Sequence, residues 1–447
     1  MKKSLFFIYF IVFNLTFAQF EKVEPELVGV SSERLNRISE ISKNYVSQGK
    51  VPGIVTMIAR KGKLIYFEAF GDRGIDDKRK IKKNDLFRIY SMTKPITALA
   101  AMQLYEKGKF QLNDPISKYL PEFKNLKRYD SKGELIDNET EITMQQLLTH
   151  TAGFTYGWGG GPVDKKYEEA NLWESKSSKE FIDKVSSLPL LLEPGTKWHY
   201  SIAVDITGVI IERLSGKTLS EYFNDNIFIP LGMKDTFFEV PNDQLNRFLP
   251  NHFYDKTNES LVTVPEDNTK ISAGSNYENV KLYTGGMGLV STAMDYMIFS
   301  ESIRNGGFHN GKRIIGPKTI KYMIKNHLSG SLSGQGGSGE NPSWDTTTID
   351  EAESNGFGFG LGFGLVTDSV KRSIIGSDGE YSWGGAAGTI FWIDPIEEIT
   401  VISMIQLMSS PWSLREELKV ATYQSVSYTH LRAHETREDL VCRLLLE

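Results

Sequence analysis

Stretches with strand character lie near both ends of this sequence, whereas the middle has mainly helical patterns. The apolar runs 54–59 and 64–69 are joined by a short turn that contains Gly62, which predicts a hairpin. Further strand signals follow near the other end, at 357–366, 372–375, 389–393 and 399–405, and a turn at 394–398 joins the last two. A sheet can take strands from both sides of a helical insertion. We therefore predict an α+β fold in which one antiparallel sheet is built from both chain ends and flanked by helices.

Segments with helical periodicity, in which apolar residues recur at spacings of three and four, lie before, between and after these strands. They are found at 31–46 with Ser31 as cap, and at 96–105, 143–148, 204–214 and 412–423. Residues 329–356 are rich in Gly, Ser, Asp and Thr, which predicts a flexible surface loop. We predict one domain at 19–426, with an α/β part at about 25–105 and 357–426 and a mainly helical part at about 106–356.

The composition is that of an ordinary soluble protein. The 447 residues are 40% hydrophobic and 24% charged, which is enough for a large core. The formal net charge of -5 argues against a nucleic-acid partner, because such partners bind basic surfaces.

Residues 1–18 have the pattern of a secretory signal peptide. Lys2 and Lys3 precede a nearly continuous apolar run at 5–17, and small residues lie before an expected cut at Ala18–Gln19. The alternative is an anchoring helix, for which the apolar run is short. We predict a bacterial protein that is periplasmic or secreted, with no transmembrane segment after signal cleavage.

Residues 427–447 differ in character from the rest and resemble a translated sequencing-adapter read-through. We expect this segment to be a non-native tail. It contains Cys442, the single cysteine. The remaining mature chain then excludes disulfides, a cysteine nucleophile and a thiolate metal site.

A Ser-x-x-Lys pair, Ser91 and Lys94, immediately precedes the apolar helix at 96–105. Positions three apart share a helix face, so the amine would lie beside the hydroxyl. A serine becomes a good nucleophile when a neighbouring base takes its proton. The alternative is an ordinary helix start. A second such pair, Ser47 and Lys50, is interrupted by Gly49 and reads as a surface loop.

Two later stretches offer partners for this pair. Tyr200 precedes a predicted helix and could act as a base where cations stabilise the phenolate. Considered alone, a tyrosine at a helix start is more often a packing residue. Small residues at 384–388 open a strand, and glycines allow a substrate to approach the backbone closely. The alternative there is a β-bulge or a tight sheet–helix contact.

Together these motifs resemble the serine β-lactamase and penicillin-binding superfamily. The resemblance is to its class C-like branch, and within it to the β-lactamase-fold carboxylesterases. Ser91-Met92-Thr93-Lys94 matches the Ser-x-x-Lys motif, Tyr200-Ser201 matches the Tyr-x-Asn motif at its tyrosine, and Trp383-Gly384-Gly385 stands where a Lys-Thr-Gly strand motif would be. Supporting matches lie at 147–153, 231–233, 285–293 and 388–395.

The resemblance implies a β-lactamase/transpeptidase-like fold and a mechanism through an acyl-enzyme. Ser91 would attack a carbonyl, while Lys94 and Tyr200 take its proton and return one to the leaving group. The backbone N–H groups of Ser91 and Ala386 would form the oxyanion hole. No metal or other cofactor is expected.

Two departures from the family pattern bear on the substrate. Ile202 replaces the Asn of the tyrosine motif and cannot hydrogen-bond an acylamino side chain. Trp383 replaces a lysine that would bind a substrate carboxylate, and offers stacking and one N–H donor instead. We predict that Ile202, Trp383, Gly384 and Gly385 contact the substrate, and that a neutral ester or amide is favoured over a penicillin-like anion.

Other polar and aromatic residues have weaker interpretations. Phe154, Trp158 and Trp173 could line an acyl or alcohol pocket, although packing is the favoured interpretation. His150 is expected to be a structural turn residue, and Asp205 to cap or orient its own helix.

The sequence therefore predicts an exported serine hydrolase that acts on a small-molecule substrate, most simply a carboxylesterase. One alternative is a class C-like β-lactamase, or a D-aminopeptidase or DD-peptidase, on the same machinery. Another is a non-catalytic binding protein on an inherited fold.

Overall fold

The computed structural model describes residues 20–266, 277–328, 333–334 and 355–426. The predicted signal peptide, the tail at 427–447 and most of the predicted loop at 329–356 lie outside these ranges.

A seven-stranded antiparallel sheet forms the centre of the fold. In chain order, the strands are β1 (Gly53–Arg60), β2 (Lys63–Gly71), β3 (Phe87–Arg88), β4 (Lys127–Tyr129), β5 (Leu135–Asp137), β6 (Lys197–Trp198), β7 (His252–Asp255), β8 (Ser260–Thr263), β9 (Val290–Ser291), β10 (Phe308–His309), β11 (Lys312–Arg313), β12 (Ser333–Gly334), β13 (Phe357–Phe359), β14 (Gly364–Val366), β15 (Tyr381–Gly384), β16 (Ile390–Asp394), β17 (Ile399–Met404) and β18 (Leu407–Met408). The main sheet has the order β13–β14–β15–β16–β17–β1–β2. The first hairpin is thus joined to the last strands by pairing of β1 with β17, which confirms the predicted sheet.

Helices cover both faces of this sheet. They are α1 (Ser32–Ser47), α2 (Thr93–Glu106), α3 (Met144–Leu148), α4 (Pro162–Glu169), α5 (Ser178–Ser186), α6 (Ala203–Ser215), α7 (Leu219–Phe223), α8 (Ile229–Leu231), α9 (Ala293–Arg304), α10 (Pro317–Met323) and α11 (Leu414–Tyr423). The Ser31 side chain accepts a hydrogen bond from the Arg34 N–H and caps α1, as predicted. Within the described residues, no helix combines the length and the apolar character needed to cross a membrane.

The two faces of the sheet contribute to separate hydrophobic clusters. Ile54 and Ile58 of β1 pack in the cluster that contains residues of α1 and α11. Val55 and Met57, which point the other way, belong to the large core with α2 and α9. All eight residues of β1 are buried, as expected for a central strand covered on both faces.

One predicted strand, 372–375, is wrong, because these residues form turns. The Arg372 N–H donates to the Asp368 carbonyl, and Ser373 has a left-handed φ of 53°. Ile375 is 45% exposed, so no buried face supports an extended conformation here.

The predicted helical part is not wholly separate from the sheet. Helix α9 lies within the predicted range 106–356, yet it packs directly on β17 and β1. The division of the domain into two parts therefore remains a prediction.

Candidate active site

Ser91 lies in a short 3₁₀ turn, Tyr90–Met92, directly before α2. Residues 93–104 of α2 are all buried, so the helix is fixed by the core on every side, whereas Ser91 itself is half-buried. Tyr90 has a left-handed φ of 42°, a strained backbone conformation for a residue with a side chain. The Asn251 amide donates to the Tyr90 hydroxyl at 3.0 Å and helps to hold this turn.

The structure brings Lys94 and Tyr200 to the Ser91 hydroxyl. Lys94 Nζ lies 3.2 Å from Ser91 Oγ and donates to the Gly286 carbonyl at 2.8 Å. The Tyr200 hydroxyl lies 2.6 Å from Ser91 Oγ, and Lys94 Nζ is 4.6 Å from the centre of the Tyr200 ring. An alcohol, an amine and a phenol are therefore within reach of one another, which is the geometry required to activate a nucleophile.

Strand β15 forms one side of this site. Trp383 Nε1 donates to the Tyr200 hydroxyl at 3.4 Å, and the two rings are 5.5 Å apart. A Cβ atom on Gly385 would lie 2.4 Å from the Ile89 carbonyl oxygen, so a glycine lets the end of the strand lie against the turn that carries Ser91. Ala386 is exposed in the turn that follows, and its role in an oxyanion hole stays a prediction.

Replacement of Gly385 by alanine is expected to lower the free energy of unfolding by about 1–3 kcal/mol, because the new methyl group overlaps the backbone at Ile89. Urea unfolding measures this change. Gly384→Ala is a matched control, because its Cβ would lie 3.4 Å from the Thr389 carbonyl oxygen, an ordinary van der Waals contact. Equal stability losses in the two variants would contradict this account of the contact.

The structure does not bring every predicted contact residue to the cleft. Ile202 is fully buried in the large core, so its side chain cannot touch a substrate in this structure. Phe154 is also fully buried, in agreement with the packing interpretation. Trp158, by contrast, is 38% exposed and stacks on Tyr156 with ring centres 4.4 Å apart. Trp173 is half-buried, and its ring centre is 6.0 Å from that of Tyr156.

The buried His150 side chain packs against Tyr200. The residue has a left-handed φ of 56°, and its ring centre is 4.8 Å from that of Tyr200. Its Nδ1 accepts the Ser201 N–H at 3.3 Å, which fixes the backbone next to the tyrosine. Burial, with the nearby Lys94 charge, holds the pKa of His150 well below its usual value, so the ring is neutral.

Asp205 lies in the first turn of α6, as expected, but its side chain does not cap the helix. Its Oδ1 accepts the Gly286 N–H at 2.8 Å, and the Tyr156 hydroxyl donates to its Oδ2 at 3.3 Å, so the carboxylate joins α6 to two loops. Sequence reasoning missed this cluster because its members are far apart in the chain. The Gly285-Gly286 pair was the available signal, since a Cβ on Gly286 would lie 2.3 Å from Asp205 Oδ2.

Over the described ranges, no group of three or more His, Cys, Asp or Glu side chains is placed to hold a metal ion.

Known proteins match most of the length of the chain. A profile of the family described as Beta-lactamase matches residues 36–423. Protein Rv1367c of Mycobacterium tuberculosis is 31% identical over 368 residues, covering 80% of this chain and 86% of the relative. Esterase EstB of Burkholderia gladioli is 27% identical over 387 residues, covering 82% and 88%. Among solved structures, EstCE1, described as a hydrolase with promiscuous acyltransferase activity, superposes with a TM-score of 0.71 at 25% identity, covering 88% of this chain and 99% of that one.

Proposed function

The chain belongs to the Beta-lactamase family of serine hydrolases, and from that premise we propose that it is an exported carboxylesterase that forms an acyl-enzyme on Ser91. The observation that carries the proposal is the convergence of Lys94 and Tyr200 on Ser91 Oγ, at 3.2 and 2.6 Å. Export is supported by the signal-like pattern at 1–18.

The proposed reaction has two acyl-transfer steps. Ser91 Oγ attacks the ester carbonyl, and its proton passes to the Lys94–Tyr200 pair, which then protonates the departing alcohol. Water attacks the acyl-enzyme with the same pair as base, which releases the acid and restores the Ser91 hydroxyl. Backbone N–H groups of Ser91 and Ala386 would stabilise the negative oxygen in both steps.

The surroundings of Trp383 favour a neutral ester over an anionic substrate. The indole presents one N–H donor and an aromatic face next to Tyr200, where a lysine would present a full charge. Arg415 is a cationic side chain at this strand, but it donates to Ser382 Oγ at 2.8 Å. Because Ser382 alternates with Trp383 along β15, its side chain points to the other face of the strand. The relative EstB is named an esterase, which agrees with this preference.

A cavity of about 260 Å³ is lined by residues next to the site and not by Ser91, Lys94, Tyr200 or Trp383. Trp173 and Met287 line it. Met287 directly follows Gly286, whose carbonyl accepts a hydrogen bond from Lys94. The Trp173 ring packs near Tyr156, with 6.0 Å between the ring centres.

The proposal is tested with a substrate panel on the full chain. We expect turnover of p-nitrophenyl butyrate with a kcat/KM at least about tenfold above that for nitrocefin, because Trp383 stands where a lysine would bind the carboxylate of the β-lactam. D-alanine p-nitroanilide completes the panel. Initial rates at matched concentrations give these values directly.

The other outcomes identify the remaining candidates. Nitrocefin turnover equal to ester turnover would favour a class C-like β-lactamase, and turnover of the D-alanine anilide would favour a D-aminopeptidase. A chain that hydrolyses none of these and does not react with a fluorophosphonate probe would be a binding protein.

A further inference from the structure

Asp205 is at one end of a chain of hydrogen bonds that leads through Gly286 and Lys94 to Ser91. Its Oδ1 accepts the Gly286 N–H at 2.8 Å, and the carbonyl of the same glycine accepts from Lys94 Nζ at 2.8 Å. Lys94 Nζ lies 3.2 Å from Ser91 Oγ. A single residue, Gly286, thus connects a buried carboxylate to the amine that contacts the nucleophile.

Direct packing strengthens this connection. A Cβ on Gly286 would lie 2.3 and 2.8 Å from the two carboxylate oxygens of Asp205, so the carboxylate lies against bare backbone. Asp205 is itself held in the first turn of α6, where the helix dipole favours a negative charge. The position of the Gly286 carbonyl is therefore set by Asp205, and that carbonyl orients Lys94.

Asp205 and Lys94 are also coupled by charge. Their exposed fractions are 2% and 1%, and opposite charges interact strongly at such buried positions. The negative charge of Asp205 offsets the positive charge that Lys94 carries whenever it holds the proton taken from Ser91.

We propose that Asp205 is a positioning residue for acyl transfer: it fixes the Gly286 peptide that orients Lys94, and it balances the charge of the Lys94 amine. This inference rests on the proposed hydrolase function. Asp205 acts through Gly286 and Lys94, and it is not assigned a contact with the substrate.

The titratable groups near Asp205 determine how its ionisation should affect the pH dependence of activity. The titratable side chains that act on Asp205 are Lys94 and Tyr156, and Tyr200 lies next to Tyr156. Burial raises the pKa of Asp205 to about 6, while the Lys94 charge and the Tyr156 hydrogen bond lower it. Burial raises the pKa of Tyr156 well above its usual value, and His150 is neutral, so neither changes its charge in this range.

The test uses two variants of the full chain with p-nitrophenyl butyrate. Asp205→Asn keeps the side-chain shape and an acceptor for the Gly286 N–H but removes the charge. We expect kcat to fall by about 10- to 100-fold with KM changed by less than about threefold, and the loss of activity on acidification to shift to lower pH. Tyr156→Phe removes a hydrogen bond that lowers the pKa of Asp205, so the loss of activity on acidification should shift to higher pH.

Opposite shifts in the two pH profiles are the result that a purely structural role would not produce. A folded Asp205→Asn enzyme with wild-type kcat and pH profile overturns the inference, even if its melting temperature falls. If circular dichroism shows that this variant is unfolded, the pH profile of Tyr156→Phe becomes the test. The inference is then overturned if this variant loses activity on acidification at the same pH as the wild type. A wild-type chain that neither hydrolyses esters nor reacts with a fluorophosphonate overturns the proposed function and this inference with it.

Discussion

Ser91→Ala is expected to lower kcat/KM for p-nitrophenyl butyrate by about 10⁴- to 10⁶-fold, because removal of the nucleophile leaves only binding and the oxyanion hole. The Ser91 hydroxyl has both the amine and the phenol within hydrogen-bonding reach, so the same change should also abolish labelling by a fluorophosphonate. Ester kinetics measure the first effect, and intact-protein mass spectrometry measures the second as the loss of one adduct.

The chain supplies its own matched control for this experiment. Ser47 begins a second Ser-x-x-Lys pair with Lys50, but it lies at the end of α1 and donates to the Asn44 carbonyl at 3.2 Å. Ser47→Ala is therefore expected to keep wild-type activity and labelling. Substantial ester hydrolysis by Ser91→Ala, or an adduct on another serine, would contradict the assignment.

Lys419→Met is expected to lower the free energy of unfolding by about 3–5 kcal/mol, because it leaves a buried carboxylate without its partner. Lys419 Nζ lies 2.5 Å from Glu380 Oε1, and both side chains are 1% exposed. The Tyr423 hydroxyl is within 2.9 Å of Glu380 and 2.8 Å of Asp394, so this cluster joins α11 to the sheet at β15 and β16. Burial lowers the pKa of Lys419, while Glu380 raises it. Urea unfolding of the purified variants gives the change directly.

Two controls separate the loss of a buried partner from a general effect of the substitution. Lys419→Met combined with Glu380→Gln should recover much of the stability, because the carboxylate in direct contact with Lys419 is then removed together with its partner. Lys179→Met breaks an exposed pair with Asp183, whose partners are 77% and 48% exposed, and should change stability by less than about 1 kcal/mol. If Lys419→Met were no more damaging than Lys179→Met, the cluster would not hold α11 to the sheet.

The sequence predicted those elements whose signals are local. The β1–β2 hairpin was predictable because two strand-forming runs flank a tight turn, in which Lys61 and Gly62 both take positive φ values. Helix α1 was predictable from its periodicity and from Ser31. The strand at 372–375 was a wrong prediction, because two adjacent isoleucines resemble a strand whether or not a neighbouring strand is present to pair with them.

The site was only partly predictable, for a related reason. Motif matches to the family predicted Ser91, Lys94 and Tyr200, which the structure brings together. Such matches say nothing about where each neighbouring side chain points, and Ile202 proved to be buried. The Asp205–Gly286 contact depends on how a helix and a distant loop pack, which no local pattern records.

The joining of β1 to β17 has a consequence for the order of events during folding. Thr56 and Ser403 share a hydrogen bond across these strands although they are 347 residues apart in the chain. Contacts of such high sequence separation form slowly, and they cannot form on the ribosome until nearly all of the strands have been synthesised. The turn that carries Ser91 rests against Gly385 and Thr389, which are made late. The nascent chain should therefore remain inactive until its last strands dock.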